Sequence, residues 1–321
     1  MPQSLKPVPA LVPVPAAGTA PAPWPLRTGR TAALSALLLL AAGCTTTGSG
    51  ESTPARVIAV TADNQIVEFV AGRPERIVAR RSLTGIQSGE RITGIDFRPS
   101  NGRLYAIGDS GQLYVLDLST GIAERVGNGG FRTLASGDIG MDFNPAADRL
   151  RLVGAAGTNL RIHPETGAVI DADAQSAGLQ IDGPLAYAEG QAQAGRTARL
   201  VASAYSNSRP GAVATTNYAI DAASGTLVTQ GSREGATPAV SPDTGQLVTV
   251  GPLGVDLGKG PVSFDIGPGN LALISATTPG GRSELYRVNL DNGAASRLGP
   301  IGIGGPVTAI AIVPVTQRSA R

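Results

Sequence analysis

Three aspartates stand in one recurring context: Gly94-Ile95-Asp96-Phe97-Arg98-Pro99, Gly140-Met141-Asp142-Phe143-Asn144-Pro145 and Ser263-Phe264-Asp265-Ile266-Gly267-Pro268. A carboxylate repeated at a fixed place in a repeat is carried to one level of the fold. Acids at one level could converge on a cation or a substrate in a central channel. That chemistry would suit Ca²⁺, and a Ca²⁺-dependent hydrolase or lyase is one reading of Asp96, Asp142 and Asp265. The other reading is structural. Buried acids require partners, so each would accept hydrogen bonds within or between repeats. Arg103 and Arg149 recur just after two of the aspartates and are candidate partners. We favour the structural reading; no residue is assigned to catalysis, and the metal question stays open.

The remaining reactive residues narrow the choices. His163 is the only histidine, which excludes multi-histidine metal sites. It fills a turn position held elsewhere by Asp117, Asp221 and Asn289, so a turn role is expected of it. No G-x-S-x-G elbow, phosphate loop, H-E-x-x-H or C-x-x-C motif occurs. Tyr105, Tyr114, Tyr187, Tyr205, Tyr218 and Tyr286 could form a carbohydrate or peptide platform, but packing between sheets with the hydroxyls satisfied is the expected role. The polar loop Ser206 to Thr216 and the insertion between Gly225 and Gly245 are better candidates for a recognition surface.

Cys44 is the only cysteine, so no intrachain disulfide can form. Arg27 and Arg30 precede an apolar run from Ala32 to Ala42, which meets Ala41-Ala42-Gly43-Cys44. A positive segment, a short apolar run and small residues before a cysteine resemble a lipoprotein signal and its lipobox, although Ala41 stands where Leu is usual. Lipid attachment at Cys44 is therefore expected. The run is shorter than the roughly 17–25 residues of a membrane-spanning helix. Thr45 rather than Asp follows the cysteine, which predicts the outer membrane if the host is Gram-negative. Residues 1–43 read as a disordered extension plus signal peptide, and residues 44–55 as the lipidated cysteine and a flexible tether. Three of the 26 basic residues, Lys6, Arg27 and Arg30, precede Cys44 and none of the 24 acidic ones does, leaving 23 against 24. A near-neutral body offers no electrostatic case for nucleic acid.

What must position these residues is a set of short strands. Gly 43 and Pro 24 are too many for long helices, since Pro costs a helix interior roughly 3 kcal/mol. After the Asp-x-x-Pro strand comes a second, as in Arg103-Leu104-Tyr105-Ala106-Ile107 and Arg149-Leu150-Arg151-Leu152-Val153. A third ends in a fixed turn: Tyr114-x-Leu116-Asp117-x-x-x-Gly121, Leu160-x-Ile162-His163-x-x-x-Gly167, Tyr218-x-Ile220-Asp221-x-x-x-Gly225 and Tyr286-x-Val288-Asn289-x-x-x-Gly293. A fourth runs on from that Gly. Pro184-Leu185-Ala186-Tyr187 and Ala309-Ile310-Ala311-Ile312-Val313-Pro314 read as degenerate first strands. Four antiparallel strands per repeat predict an all-β propeller over residues 56–314, with 315–321 a disordered tail. Val307 to Pro314 lacks followers and Arg56 to Val70 lacks a first strand, so the two ends should share one blade and close the ring. Five blades follow if Gly245 to Gly254 is a displaced fourth strand; six follow if Ser241-Pro242 opens another.

These motifs resemble the bacterial family called domain of unknown function 4394. The resemblance spans about Val57 to Pro314 and rests on G-I-D-F-R-P, M-D-F-N-P, P-L-A-Y-A near Tyr187, A-Y-S-N-S near Tyr205 and V-G-P-L-G-V-D near Asp256. It implies a propeller-like repeat fold in exported proteins and no established activity. The expected function is a non-enzymatic binding or scaffold module at the cell envelope, without a cofactor unless Ca²⁺. It would be held to the membrane by its lipid and partnered by a protein or carbohydrate there. The Ca²⁺-dependent enzyme is the alternative.

Overall fold

A computed structural model describes residues 54–127 and 139–315. All of them belong to one compact unit, Ser52–Arg321. Residues 1–53, Cys44 among them, residues 128–138 and residues 316–321 lie outside the described residues. Turn residues cut the described residues into twenty strands: β1 (Arg56–Thr61), β2 (Gln65–Val70), β3 (Arg73–Ser82), β4 (Ile92–Phe97), β5 (Leu104–Gly108), β6 (Leu113–Leu116), β7 (Ala123–Val126), β8 (Ile139–Asn144), β9 (Arg149–Gly154) and β10 (Asn159–Ile162) come first. They are followed by β11 (Ala186–Tyr187), β12 (Leu200–Tyr205), β13 (Asn217–Asp221), β14 (Thr226–Gln230), β15 (Gln246–Pro252), β16 (Val262–Gly267), β17 (Leu271–Thr277), β18 (Ser283–Val288), β19 (Ala295–Pro300) and β20 (Val307–Ile312).

The strands form five sheets, and hence five blades. Blade one is β4-β5-β6-β7, blade two β8-β9-β10, blade three β12-β13-β14-β15-β11 and blade four β16-β17-β18-β19. Blade five is β20-β1-β2-β3, so strands from both ends of the domain share it. Val57 pairs with Ile312 and Ala59 with Ile310 across that junction. The innermost strands β4, β8, β12, β16 and β20 adjoin one another in turn and close a ring. The six-blade reading falls: Ser241-Pro242 leads into a 3-10 turn at Pro242–Thr244, and β15 is the fourth strand of blade three.

Blade three corrects two further expectations. Pro184-Leu185-Ala186-Tyr187 is no inner strand. Ala186 and Tyr187 pair in parallel with Gln246 and Leu247 on the outer edge. The inner place is taken by β12, whose six residues are all buried. Consequently Tyr218 to Asp221 lies on the second strand of its blade, not the third. The motif tracks the turn that follows it, and that turn serves equally after a second or a third strand.

Packing between blades explains the small residues of the repeat. A Cβ on Gly140 would lie 2.4 Å from the Ser203 nitrogen of β12, so only glycine lets these inner strands approach so closely. Away from the axis, apolar clusters fill most of the seams. Between blades one and two, Tyr105 and Phe143 meet edge to face with ring centroids 5.1 Å apart, a contact contributing about 0.5–1.5 kcal/mol beyond area burial. The recurring turns use side-chain caps: Asp117 Oδ1 accepts the Ser119 N–H at 2.7 Å, and Asn289 Oδ1 accepts that of Asp291 at 2.8 Å. Gly121 completes the first of these with φ of 79°, which a residue bearing Cβ adopts only under strain.

Candidate functional site

Asp96, Asp142 and Asp265 are brought together as the repeat predicts. All three are buried, and one carboxylate oxygen of each lies within 4.8 Å of the others'. Their partners come from the next blade. Asp96 Oδ2 accepts the Phe143 N–H at 2.7 Å, Asp142 Oδ1 accepts the Tyr205 N–H at 3.0 Å, and Asp265 Oδ2 accepts the Ile312 N–H. Since Tyr205 and Ile312 follow Ala204 and Ala311, the same level of blades three and five carries alanine. Asp96 and Asp265 also face their own following N–H groups, at Phe97 and Ile266. Three carboxylates thereby serve the amides of all five inner strands at this level, on strand edges that have no further strand to pair with.

Burial governs the protonation of the cluster. It is the first cause raising each carboxyl, and it holds Asp265 at about 6 against the opposing Ile312 and Ile266 N–H groups. Asp96 and Asp142 are raised well above the usual carboxylate range, by burial first. The charge of Asp265 adds for Asp96, and those of Asp96 and Asp265 add for Asp142. The cluster therefore gives up its protons less readily than free carboxylic acids do. One oxygen from each acid could ligate a single cation, yet Ca²⁺ takes roughly 6–8 oxygens, so three would leave much of its shell to be filled.

The arginines expected beside the acids are elsewhere. Arg103 is exposed and reaches Glu124 at 3.4 Å, while Arg149 bonds the Asp148 carbonyl at 2.9 Å. The reason is register: Asp142 pairs with Arg151 and Asp96 with Tyr105, whereas Arg149 pairs with Asn144 and Arg103 precedes Leu104, which pairs with Phe97. Arg98, in the first motif itself, does bridge blades. It holds both oxygens of Asp148, at 2.8 and 2.5 Å, and this carboxylate keeps the guanidinium charged despite its burial.

A cleft of about 680 Å³ opens between blades three and four. The loop from Ser206 to Thr216 and the insertion after β14 both reach it, through Ser206, Thr216, Arg233 and Glu234. From blade four come Arg287 and the turn Asn289 to Asp291. Arg233 spans the opening: its guanidinium stacks 5.7 Å from the Tyr218 ring centroid and donates to the Leu290 carbonyl at 3.0 Å.

Residues 65–311 match the family described as Domain of unknown function (DUF4394). The chain belongs to this family. No curated protein matches the DUF4394 chain. Among solved structures it is similar to a structural-genomics protein of unknown function from Bacteroides thetaiotaomicron. That match has 17% identity and TM-score 0.42, covering 75% of this chain and 56% of that one. A chain of a nidogen/laminin complex is similar at 10% identity and TM-score 0.43, over 81% and 98% of the two chains. A protein from Lactobacillus plantarum is similar at 16% identity and TM-score 0.32, over 79% and 70%.

The DUF4394 chain also carries a polar cluster that its motifs did not announce. Arg151, fully buried, donates to the Tyr205 hydroxyl at 2.7 Å, Asn159 Oδ1 at 2.5 Å, Asp182 Oδ2 at 3.0 Å and Asp243. Arg161 holds Asp182 as well, from Nη2 at 2.7 Å. Gln230 closes the cluster by donating to Asn159 Oδ1 at 2.9 Å and the Pro242 carbonyl at 2.7 Å. The signal in the sequence was an arginine set between two leucines, Leu150-Arg151-Leu152. All six tyrosines are buried, as packing residues should be, and His163 accepts the Glu165 N–H at 3.3 Å in its turn.

Proposed function

We propose that this chain is a non-enzymatic binding module, displayed at the cell envelope on a lipid at Cys44, with the cleft between blades three and four as its ligand site. The cleft carries the reading. It lies where the two segments that depart from the repeat meet, on a closed ring whose core is independent of them. Its partners would be a protein or a carbohydrate of the envelope. To test it, the exposed cleft residue Ser296 is replaced by Trp, and retention of the purified full chain on immobilised envelope protein and envelope polysaccharide is compared. The expected result is retention by one fraction, lost in Ser296→Trp without a change in melting temperature. Equal retention of both proteins would put binding elsewhere. For the anchor, Cys44→Ala should abolish palmitate labelling; a variant that is cleaved normally and stays with the membrane would refute it.

A second reading rests on the converging oxygens of Asp96, Asp142 and Asp265. Under it the channel holds Ca²⁺, either as a structural ion or for hydrolase or lyase chemistry. The N–H groups already engaging these acids favour the structural role.

A further inference from the structure

The lining of the cleft narrows its ligand chemistry, and this step rests on the binding reading above. Two guanidinium groups, Arg233 and Arg287, face it together with two carboxylates, Glu234 and Asp291. The charges balance, so the cleft holds no net attraction for a polyanion or a polycation. Its single aromatic ring, Tyr218, has a face covered by Arg233, which leaves no bare platform for an apolar ligand.

Several of the polar groups are fixed before any ligand arrives. Arg233 is held by the Leu290 carbonyl at 3.0 Å. Glu234 accepts from Asn207 Nδ2 at 2.6 Å, its own N–H is bonded to Thr216 Oγ1 at 2.8 Å, and the Asn207 N–H is bonded to Asn270 Oδ1 at 2.8 Å. Arg287 differs. It is exposed and has neither an ion pair nor a side-chain hydrogen bond among the described residues. A guanidinium only donates and a carboxylate only accepts. A hydroxyl does both, so neighbouring hydroxyls on one ligand can accept from Arg287 while donating to Asp291 or Glu234. Fixed partners reduce the ordering cost of binding, which helps a small uncharged ligand that gains no net charge attraction.

We propose that the cleft binds a neutral saccharide through Arg287, Arg233 and the two carboxylates. Isothermal titration of the full-length chain is run with maltotriose, cellotriose and N-acetylchitotriose. Trigalacturonate and the dipeptide Gly-Gly serve as charged and zwitterionic competitors. At least one neutral trisaccharide should bind, with an affinity that does not change from low to high salt. Arg287→Ala should weaken it about tenfold or more, a loss of about 1.4 kcal/mol, with melting temperature unchanged. If only trigalacturonate or Gly-Gly binds, and Arg287→Ala abolishes it, the cleft stands as a site and the neutral-saccharide assignment is wrong. If a neutral trisaccharide binds equally well to Arg287→Ala, the cleft is not the site. If none of the neutral sugars binds, the proposal is overturned.

Discussion

Between blades four and five, Leu273 and Leu285 lie among Val57, Val67, Phe69 and Ile310, all of them buried and apolar. Between blades two and three, the corresponding depth is held by Arg151, Asp182, Asn159 and Gln230. The two seams differ in what they must immobilise. The first joins regular four-stranded sheets, whose ladders already set the register. The second joins a three-stranded blade to one with a parallel outer strand. It must hold two irregular segments, the approach to β11 through Asp182 and the 3-10 turn through Asp243. Apolar contact is non-directional and would let such segments slide. Charge-assisted hydrogen bonds fix them in one place.

The largest expected effect lies at the polar seam. Arg151→Ala strands buried partners and should cost about 3–5 kcal/mol in denaturant unfolding. Leu285→Ala in the apolar seam should cost about 2–5 kcal/mol. The seams part in the rescue. Arg151→Met with Asp182→Leu should recover most of the stability while speeding amide exchange at Gly183 and Ala186. Recovery with unchanged exchange would mean that the polar cluster adds no positional order.

The acids give a middle-sized effect. Asp265→Ala removes the acceptor of the Ile312 N–H and should cost roughly 1–3 kcal/mol, weakening the apolar seam at its inner edge. The pH dependence has a definite sign. The folded Asp265 carboxyl sits at about 6 against roughly 3.9 when unfolded, so the folded state binds its proton more tightly. Its contribution is complete below about 4 and is lost as pH rises through about 6. Melting temperature should therefore fall across that window in the wild type, and less so in Asp265→Asn. If the acids are structural, Ca²⁺ leaves the melting temperature unchanged. A rise with Ca²⁺ that vanishes when all three acids are Asn would establish a cation site.

The smallest effect separates arginines by burial. Arg103→Ala breaks an exposed pair with Glu124 and should change stability by less than about 0.5 kcal/mol. A cost approaching that of Arg151→Ala would undo the distinction between seam and surface.

The ring was legible in the sequence because its devices are local. Asp-x-x-Pro strands and Asx turns closing on glycine repeat within a few residues, and the shared terminal blade shows as an incomplete repeat at each end. The convergence of Asp96, Asp142 and Asp265 followed from the same register. What each acid bonds did not, because the partner N–H lies 47 residues on for Asp96 and Asp265 and 63 on for Asp142. Blade three misled for a similar reason. Pro184-Leu185-Ala186-Tyr187 has the apolar pattern of a first strand, and only tertiary pairing sends it to the outer edge. The Arg151 cluster joins residues up to 92 apart, none of which repeats.

The shared blade also bears on how the chain reaches its folded state. Thr308 Oγ1 bonds the Val60 carbonyl across 248 residues of sequence, and β20 supplies the inner strand on which β1 pairs. While the chain is being synthesised, β1 to β3 therefore wait, without their inner neighbour, until four blades have been made. Contacts of such sequence separation form slowly, and an unpaired sheet edge invites association with other chains in the meantime. A ribosome that stops before residue 307 releases a chain with no closed form, its β1 left without the inner strand it pairs with.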